Sequence, residues 1–127
     1  MKTTLLPDAE FEVMEVVWAQ STAVTTPMLM EALGAKRGWK IQTLATLLKR
    51  LTERGFLSVS KGEGRELRYR PLVTREMYLA EETRQFIKKV HNDSFSSLLA
   101  AMGGKLSDQD IDELETLIRS AREEDDR

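Results

Sequence analysis

The chain has 127 residues, room for one compact domain and a small oligomerisation element but not for a large enzyme. Hydrophobic residues make up 41% and charged residues 31%, with no apolar run near the roughly 20 residues of a membrane span, so a soluble protein without membrane insertion is expected. Cysteine is absent and His91 is the single histidine, which removes disulfides, thiolate metal sites and histidine clusters; neither cofactor nor metal is expected.

The formal net charge of -2 is unevenly spread. Residues 1–35 carry one Lys against five acids, residues 36–70 carry ten Lys and Arg against three Glu, and residues 71–127 carry eight basic against thirteen acidic side chains. A middle segment of net +7 between acidic flanks is the pattern of a local phosphate-binding surface. A solvated charged face is the plainer alternative.

In chain order, Met1 to Pro7 has one basic residue and no long apolar core, so no secretory leader is expected and the chain is placed in the cytoplasm. Asp8 caps a first helix that runs to about Gln20 and puts Phe11, Met14, Val17 and Trp18 on one face. After a polar turn from Ser21 to Thr26, the pair Thr26 and Pro27 starts a short second helix carrying Met28, Leu29, Ala32 and Leu33, which Gly34 stops. A third helix spans Ile41 to Arg54, with Leu44, Leu47, Leu48 and Leu51 in one narrow stripe and Gly55 as its left-handed terminator.

Phe56 to Lys61 and Glu66 to Pro71 then form two strands around the turn Gly62 to Arg65. Three helices followed by a hairpin, with the last helix and the hairpin carrying the basic residues, make a winged helix-turn-helix. A boundary near Val73 and Thr74 separates this domain, residues 1–73, from a helical region, residues 74–127. There, residues 76–90 align Leu79, Thr83, Phe86, Ile87 and Val90, residues 95–102 align Phe95, Leu98, Leu99 and Met102, and residues 107–121 align Ile111, Leu114, Leu117, Ile118 and Ala121. Ser107 and Asp110 are spaced as a capping box, and Gly103 and Gly104 separate the last two helices. Such short amphipathic helices hold too little volume for a core of their own. A homodimer through Leu79, Phe86, Val90, Phe95, Leu98, Met102, Ile111, Leu114 and Ile118 is therefore expected, the alternative being that they fold back on the same chain. The fold class is mainly α with a small β-hairpin: a winged helix-turn-helix domain and a helical dimerisation domain.

Turning about 100° per residue away from the leucine stripe puts Gln42, Thr46, Lys49 and Arg50 outward, with Thr43 and Ala45 on the flanks. That face suits a DNA major groove. Small side chains let the backbone approach, Gln42 can pair with adenine, and Lys49 and Arg50 can reach phosphate or guanine. Lys61, Arg65, Arg68 and Arg70 surround the hairpin tip, as a wing lying along the DNA backbone or minor groove requires. Trp18, Trp39 and Tyr69 read as packing residues, and His91 as a surface or interface residue at a helix junction. No catalytic serine or cysteine elbow, phosphate-cradling glycine loop or metal-spaced histidine pair is present, so enzyme activity is not expected. The competing class is a winged-helix module for protein–protein assembly without operator binding.

With these elements in place, the chain resembles the penicillinase and methicillin-resistance repressor family (BlaI/MecI type, with the CopY repressors as relatives). The resemblance is carried by the stretch from Leu6 to Trp18, LPDAEFEVMEVVW, by Trp39 with Thr43, Thr46, Leu47, Arg50 and Leu51, by Arg54 to Leu57, and by Phe95 to Leu98. It implies a winged N-terminal domain, a helical dimerisation domain, and transcriptional repression of a resistance or stress operon from a palindromic operator in double-stranded DNA. By the same resemblance Gln42, Thr43, Ala45 and Thr46 occupy operator-contacting positions and Arg50 is the matching basic residue. Lys40 and Ile41 replace the Ser-Pro that often opens this helix, and Ala45 stands where arginine is familiar, so a different operator sequence is expected. The family's antibiotic-type repressors are cleaved at an Asn-Phe bond in the C-terminal domain, which implies a membrane sensor protease as a further partner. The matching position here is Ala101-Met102.

Overall fold

A computed structural model of the chain describes residues 5–126, so the leader reading of Met1 to Thr4 and the final Arg127 of the acidic tail lie outside the described residues. Helix α1, Asp8–Ala19, begins at an extended Pro7 without a side-chain cap. Asp8 is thus the first helical residue rather than the cap, and it acts with Glu10 through charge at the positive end of the helix. Met14 and Val17 are buried as expected, Val13 joins them, and Phe11 and Trp18 pack partly buried on the same core. Glu10 is 1% exposed, and its Oε1 accepts from Nη1 of Arg54 at 2.7 Å, so an ion pair ties α1 to the residue that ends the third helix.

The expected polar turn contains a strand, β1, Val24–Thr25. Thr25, not Thr26, caps the next helix, its Oγ1 accepting from the Met28 N–H at 3.4 Å. Helix α2 comprises residues 26–37: α-helical Thr26–Leu29, a π-helical turn Met30–Gly34, and α-helical Ala35–Arg37. Gly34 therefore does not stop it. Gly34 is buried under Met30, where an added Cβ would lie 2.7 Å from Met30 Cε. The stop is Gly38, left-handed at φ 68°, and the Trp39 N–H donates back to the Gly34 carbonyl at 3.1 Å.

Helix α3, Ile41–Glu53, buries Leu44, Leu47, Leu48 and Leu51. Gly55 at φ 82° ends it: the Gly55 N–H donates to Thr52 O at 3.2 Å and the Phe56 N–H to Leu51 O at 2.9 Å. Gly55→Ala is expected to cost about 1–2 kcal/mol, because alanine in a left-handed conformation brings Cβ against the following carbonyl. Urea denaturation should show a lower midpoint with an unchanged slope.

Strands β2, Leu57–Lys61, and β3, Leu67–Pro71, pair antiparallel, with β1 against the other edge of β3, so the hairpin belongs to a three-stranded sheet ordered β1-β3-β2. Helix α4, Arg75–Val90, follows. Tyr78 on α4 is fully buried, with ring centroids 5.8 Å from those of Phe11, Trp18 and Phe56. Its hydroxyl oxygen accepts from the Leu6 N–H at 2.8 Å, and burial pushes the phenol up to about 12. Trp18 Nε1 donates to the Val73 carbonyl at 2.8 Å, fixing the entry to α4.

Two compact units result, one through Thr83 and one from Arg84 onward. The first extends past the last strand because Tyr78 and the partly buried Leu79 pack on its core. Leu79, expected at a dimer interface, packs partly buried against this core. The second unit holds the rest of α4, then α5, Phe95–Met102, a tight turn Gly103–Lys105, and α6, Asp108–Asp125. Asn92 and Asp93, left-handed at φ 52° and 63°, end α4, and Ser94 caps α5. The Ser107 capping box forms in both directions, each bond 3.0 Å. Among the described residues of this unit none is buried.

Candidate nucleic-acid interface

Helix α2, the three-residue turn Gly38 to Lys40, and α3 form a helix-turn-helix. The leucine stripe anchors one side of α3 in the core, so the opposite side must face solvent: Gln42, Thr43, Ala45, Thr46, Lys49 and Arg50 are all exposed. The Thr46 hydroxyl donates to the Gln42 carbonyl at 3.0 Å, which leaves its lone pairs and methyl group for an outside partner. Rows four residues apart share a face, so Ile41, Ala45 and Lys49 make one edge of this surface and Gln42, Thr46 and Arg50 run beside it. Ile41, absent from the expected site, is 55% exposed at the first position of the helix.

The wing tip turns through Gly64 at φ 77° and Arg65 at φ 68°, closed by the Gly62 N–H donating to Glu66 O at 2.8 Å. Arg65 therefore stands exposed at the apex. Cross-strand register divides the remaining cations. Lys61 opposite Leu67 shares the face of Val59 and Tyr69, whereas Arg68 and Arg70 share the other face with Ser60 and Ser58. Arg68 is not a free cation: its Nε and Nη2 both donate to Glu66 Oε1, at 3.1 and 2.8 Å, and its side chain covers Gly62. Arg70 on the same face is exposed. Tyr69 anchors the sheet beneath; burial raises its phenol above the ordinary value, opposed by a hydrogen bond with the Thr26 side chain.

Ion pairing within the chain sorts the basic segment further. Arg37, Arg54 and Arg68 are met by Glu12, Glu10 and Glu66. Lys36, Lys40, Lys49, Arg50, Lys61, Arg65 and Arg70 have no carboxylate partner among the described residues. Uncompensated positive charge thus concentrates around α3 and the wing, the arrangement that binds a polyanion.

The expected dimer residues are placed differently from one another. Phe86, Val90, Phe95, Met102, Ile111 and Ile118 are exposed, by 41–58%, and Leu98 and Leu114 are half-buried. His91 Nδ1 lies 2.9 Å from Ser97 Oγ and its ring 5.3 Å from that of Phe86, so the lone histidine braces the α4–α5 junction. Ala101 and Met102 are exposed in the last turn of α5. No helix among the described residues is long and apolar enough to cross a membrane.

Residues 6–120 match the protein family described as penicillinase repressor. The penicillinase repressor of Bacillus licheniformis is 31% identical over 115 residues, covering 89% of this chain and 88% of the relative. The methicillin resistance regulatory protein MecI of Mammaliicoccus sciuri is 30% identical over 119 residues, covering 92% and 95%. Among solved structures, the DNA binding domain of the repressor BlaI aligns with a TM-score of 0.53 at 34% identity, covering 61% of this chain and 92% of that one. The monomeric form of Bacillus licheniformis BlaI in complex with the blaP half-operator aligns with a TM-score of 0.52 at 35% identity, again covering 61% and 92%.

Proposed function

The chain belongs to the penicillinase repressor family, and from that premise we propose that it is a DNA-binding transcriptional repressor, a homodimer that holds a palindromic operator with α3 in the major groove and the wing on the adjacent backbone. One observation carries this reading: beyond Ile41 the exposed face of α3 is polar and small and then cationic at its end, and cations with no carboxylate partner among the described residues surround it. A relative 35% identical over the winged part is solved with half-operator DNA. Dimerisation is supported by a second unit in which no described side chain is buried and in which six large apolar residues of the predicted interface are exposed.

Release from the operator is assigned to the C-terminal unit. A cut at Ala101-Met102 by a membrane sensor protease, or a partner that separates the protomers, would break the link between half-sites without touching α3. The bond lies one residue before Gly103, at a helix end where unwinding into a protease is least costly. A chain ending at Ala101 should dimerise poorly and release operator. Retention of both properties would remove this bond as the switch.

The interface itself is tested by two classes of variant. Arg50→Ala should weaken binding to every duplex and lower the salt slope by about one unit, whereas Gln42→Ala should mainly erode discrimination, by about 1–3 kcal/mol at one base pair. Arg68→Ala should behave otherwise than a lost phosphate contact, since it frees Glu66 at the wing tip and places an unpaired negative charge there. Isotherms on operator and scrambled duplexes at several salt concentrations separate these outcomes. Equal loss on both duplexes for Gln42→Ala would mean that another face of α3 enters the groove.

A further inference from the structure

We propose that Ile41 is a specificity-determining residue that packs on the 5-methyl group of a thymine in the operator major groove, an inference that rests on the operator-binding reading above. Ile41 does not serve the fold. It is 55% exposed, lies outside the buried core, and opens a helix whose N-cap, Lys40, makes no side-chain capping bond. A β-branched apolar residue there gives the helix neither a cap nor propensity. What it does give is an apolar surface at the leading end of α3, in one row with the methyl of Ala45 and ahead of Lys49.

Among the base edges of the major groove, the thymine C5-methyl is the apolar feature, all other features being hydrogen-bond donors or acceptors. An isoleucine that reaches a base edge without a polar atom can distinguish bases only by that methyl. Ala45 makes the approach possible, because a side chain of one carbon beside Ile41 lets the first turn of α3 sit close to the bases. Gln42, the next residue on the exposed face, can meanwhile bond the adjacent adenine edge.

The test uses the full chain and a duplex that it selects from a randomised pool. Each thymine of one half-site is replaced in turn by deoxyuridine, which deletes only the methyl, and affinities are measured for the wild type, Ile41→Val and Ile41→Ala. At one thymine the wild type and Ile41→Val should lose about fourfold, the worth of one buried methyl group, while Ile41→Ala should lose nothing further. Because the thymine-to-uracil ratio is taken within each variant, a general weakening of Ile41→Ala cancels. If no thymine shows this coupling, or the selected half-site contains none, Ile41 does not read a methyl group and the operator-binding reading stands. If the chain prefers no duplex over another, both fall.

Discussion

A chain ending at Thr83 is expected to hold a single half-site as the full chain does, yet to lose about 10²–10⁴-fold in affinity for a duplex carrying two half-sites. The first unit retains the whole helix-turn-helix, the wing and a core closed by Tyr78, and a relative's DNA-binding domain covering 61% of this chain is solved by itself. What the truncation removes is the unit whose apolar side chains stand uncovered. Without it the second half-site is a separate bimolecular event, and the gain from joining two events is lost. Anisotropy titrations on one-site and two-site duplexes, with sedimentation of both chains, measure this directly. If the truncated and full chains bind the two-site duplex equally, or both sediment as monomers at micromolar concentration, the second unit is not the dimerisation element.

Tyr78→Ala is expected to cost about 3–5 kcal/mol, a large part of the total stability of a small domain. The ring lies between Phe11 and Trp18 of α1 and Phe56, so its loss leaves a cavity that segments remote in sequence must close, and it strips the Leu6 N–H of its acceptor. Tyr78→Phe keeps the packing and should cost about 1–2 kcal/mol for the lost hydrogen bond. Burial raises the folded phenol from 10.0 to about 12. Stability from this group is therefore fully present below pH 10, where both states are protonated, and is lost as the unfolded chain ionises first, by about 1.4 kcal/mol per pH unit up to 12. The raised phenol of Tyr69 acts in the same direction. Urea titrations between pH 8 and about pH 11 should show a falling midpoint that is shallower in Tyr78→Phe; identical slopes would place the alkaline loss elsewhere.

The residues differ in how openly they declare their places. The leucine stripe of α3, the terminator Gly55 and the hairpin are legible because periodicity and a left-handed glycine act within a few residues. The outward face of α3 follows as the complement of that stripe. Strand β1 is not legible: two residues have no alternation, and Val24 and Thr25 are a strand only through pairing with Tyr69 and Arg68. Gly34 and Gly38 are both plausible stops, and what decides between them is that Gly34 packs under Met30 within the helix while Gly38 adopts φ 68°. Tyr78 is hidden because its side of α4 is otherwise polar, with Arg75, Glu81, Glu82 and Gln85, so no periodicity marks it, and its partners on α1 and at Phe56 are remote in sequence. Ile41 shares the exposed row of Ala45 and Lys49, but an apolar side chain at the start of a helix is not marked by its type as a surface residue. The pairing of Arg68 with Glu66 was available from spacing, since residues two apart in an extended strand share a side.

On the proposed reading, α3 and the wing bind operator DNA through phosphates and base edges together. The most direct test is the affinity of the full chain for its selected duplex and for a scrambled one, measured across salt concentration. The predicted result is a log–log slope of about -0.9 for each neutralised phosphate, amounting to several contacts on both duplexes, with a constant offset favouring the selected sequence. A flat dependence on salt, or one curve for both duplexes, would contradict it and would leave the winged fold as a surface for proteins rather than for DNA.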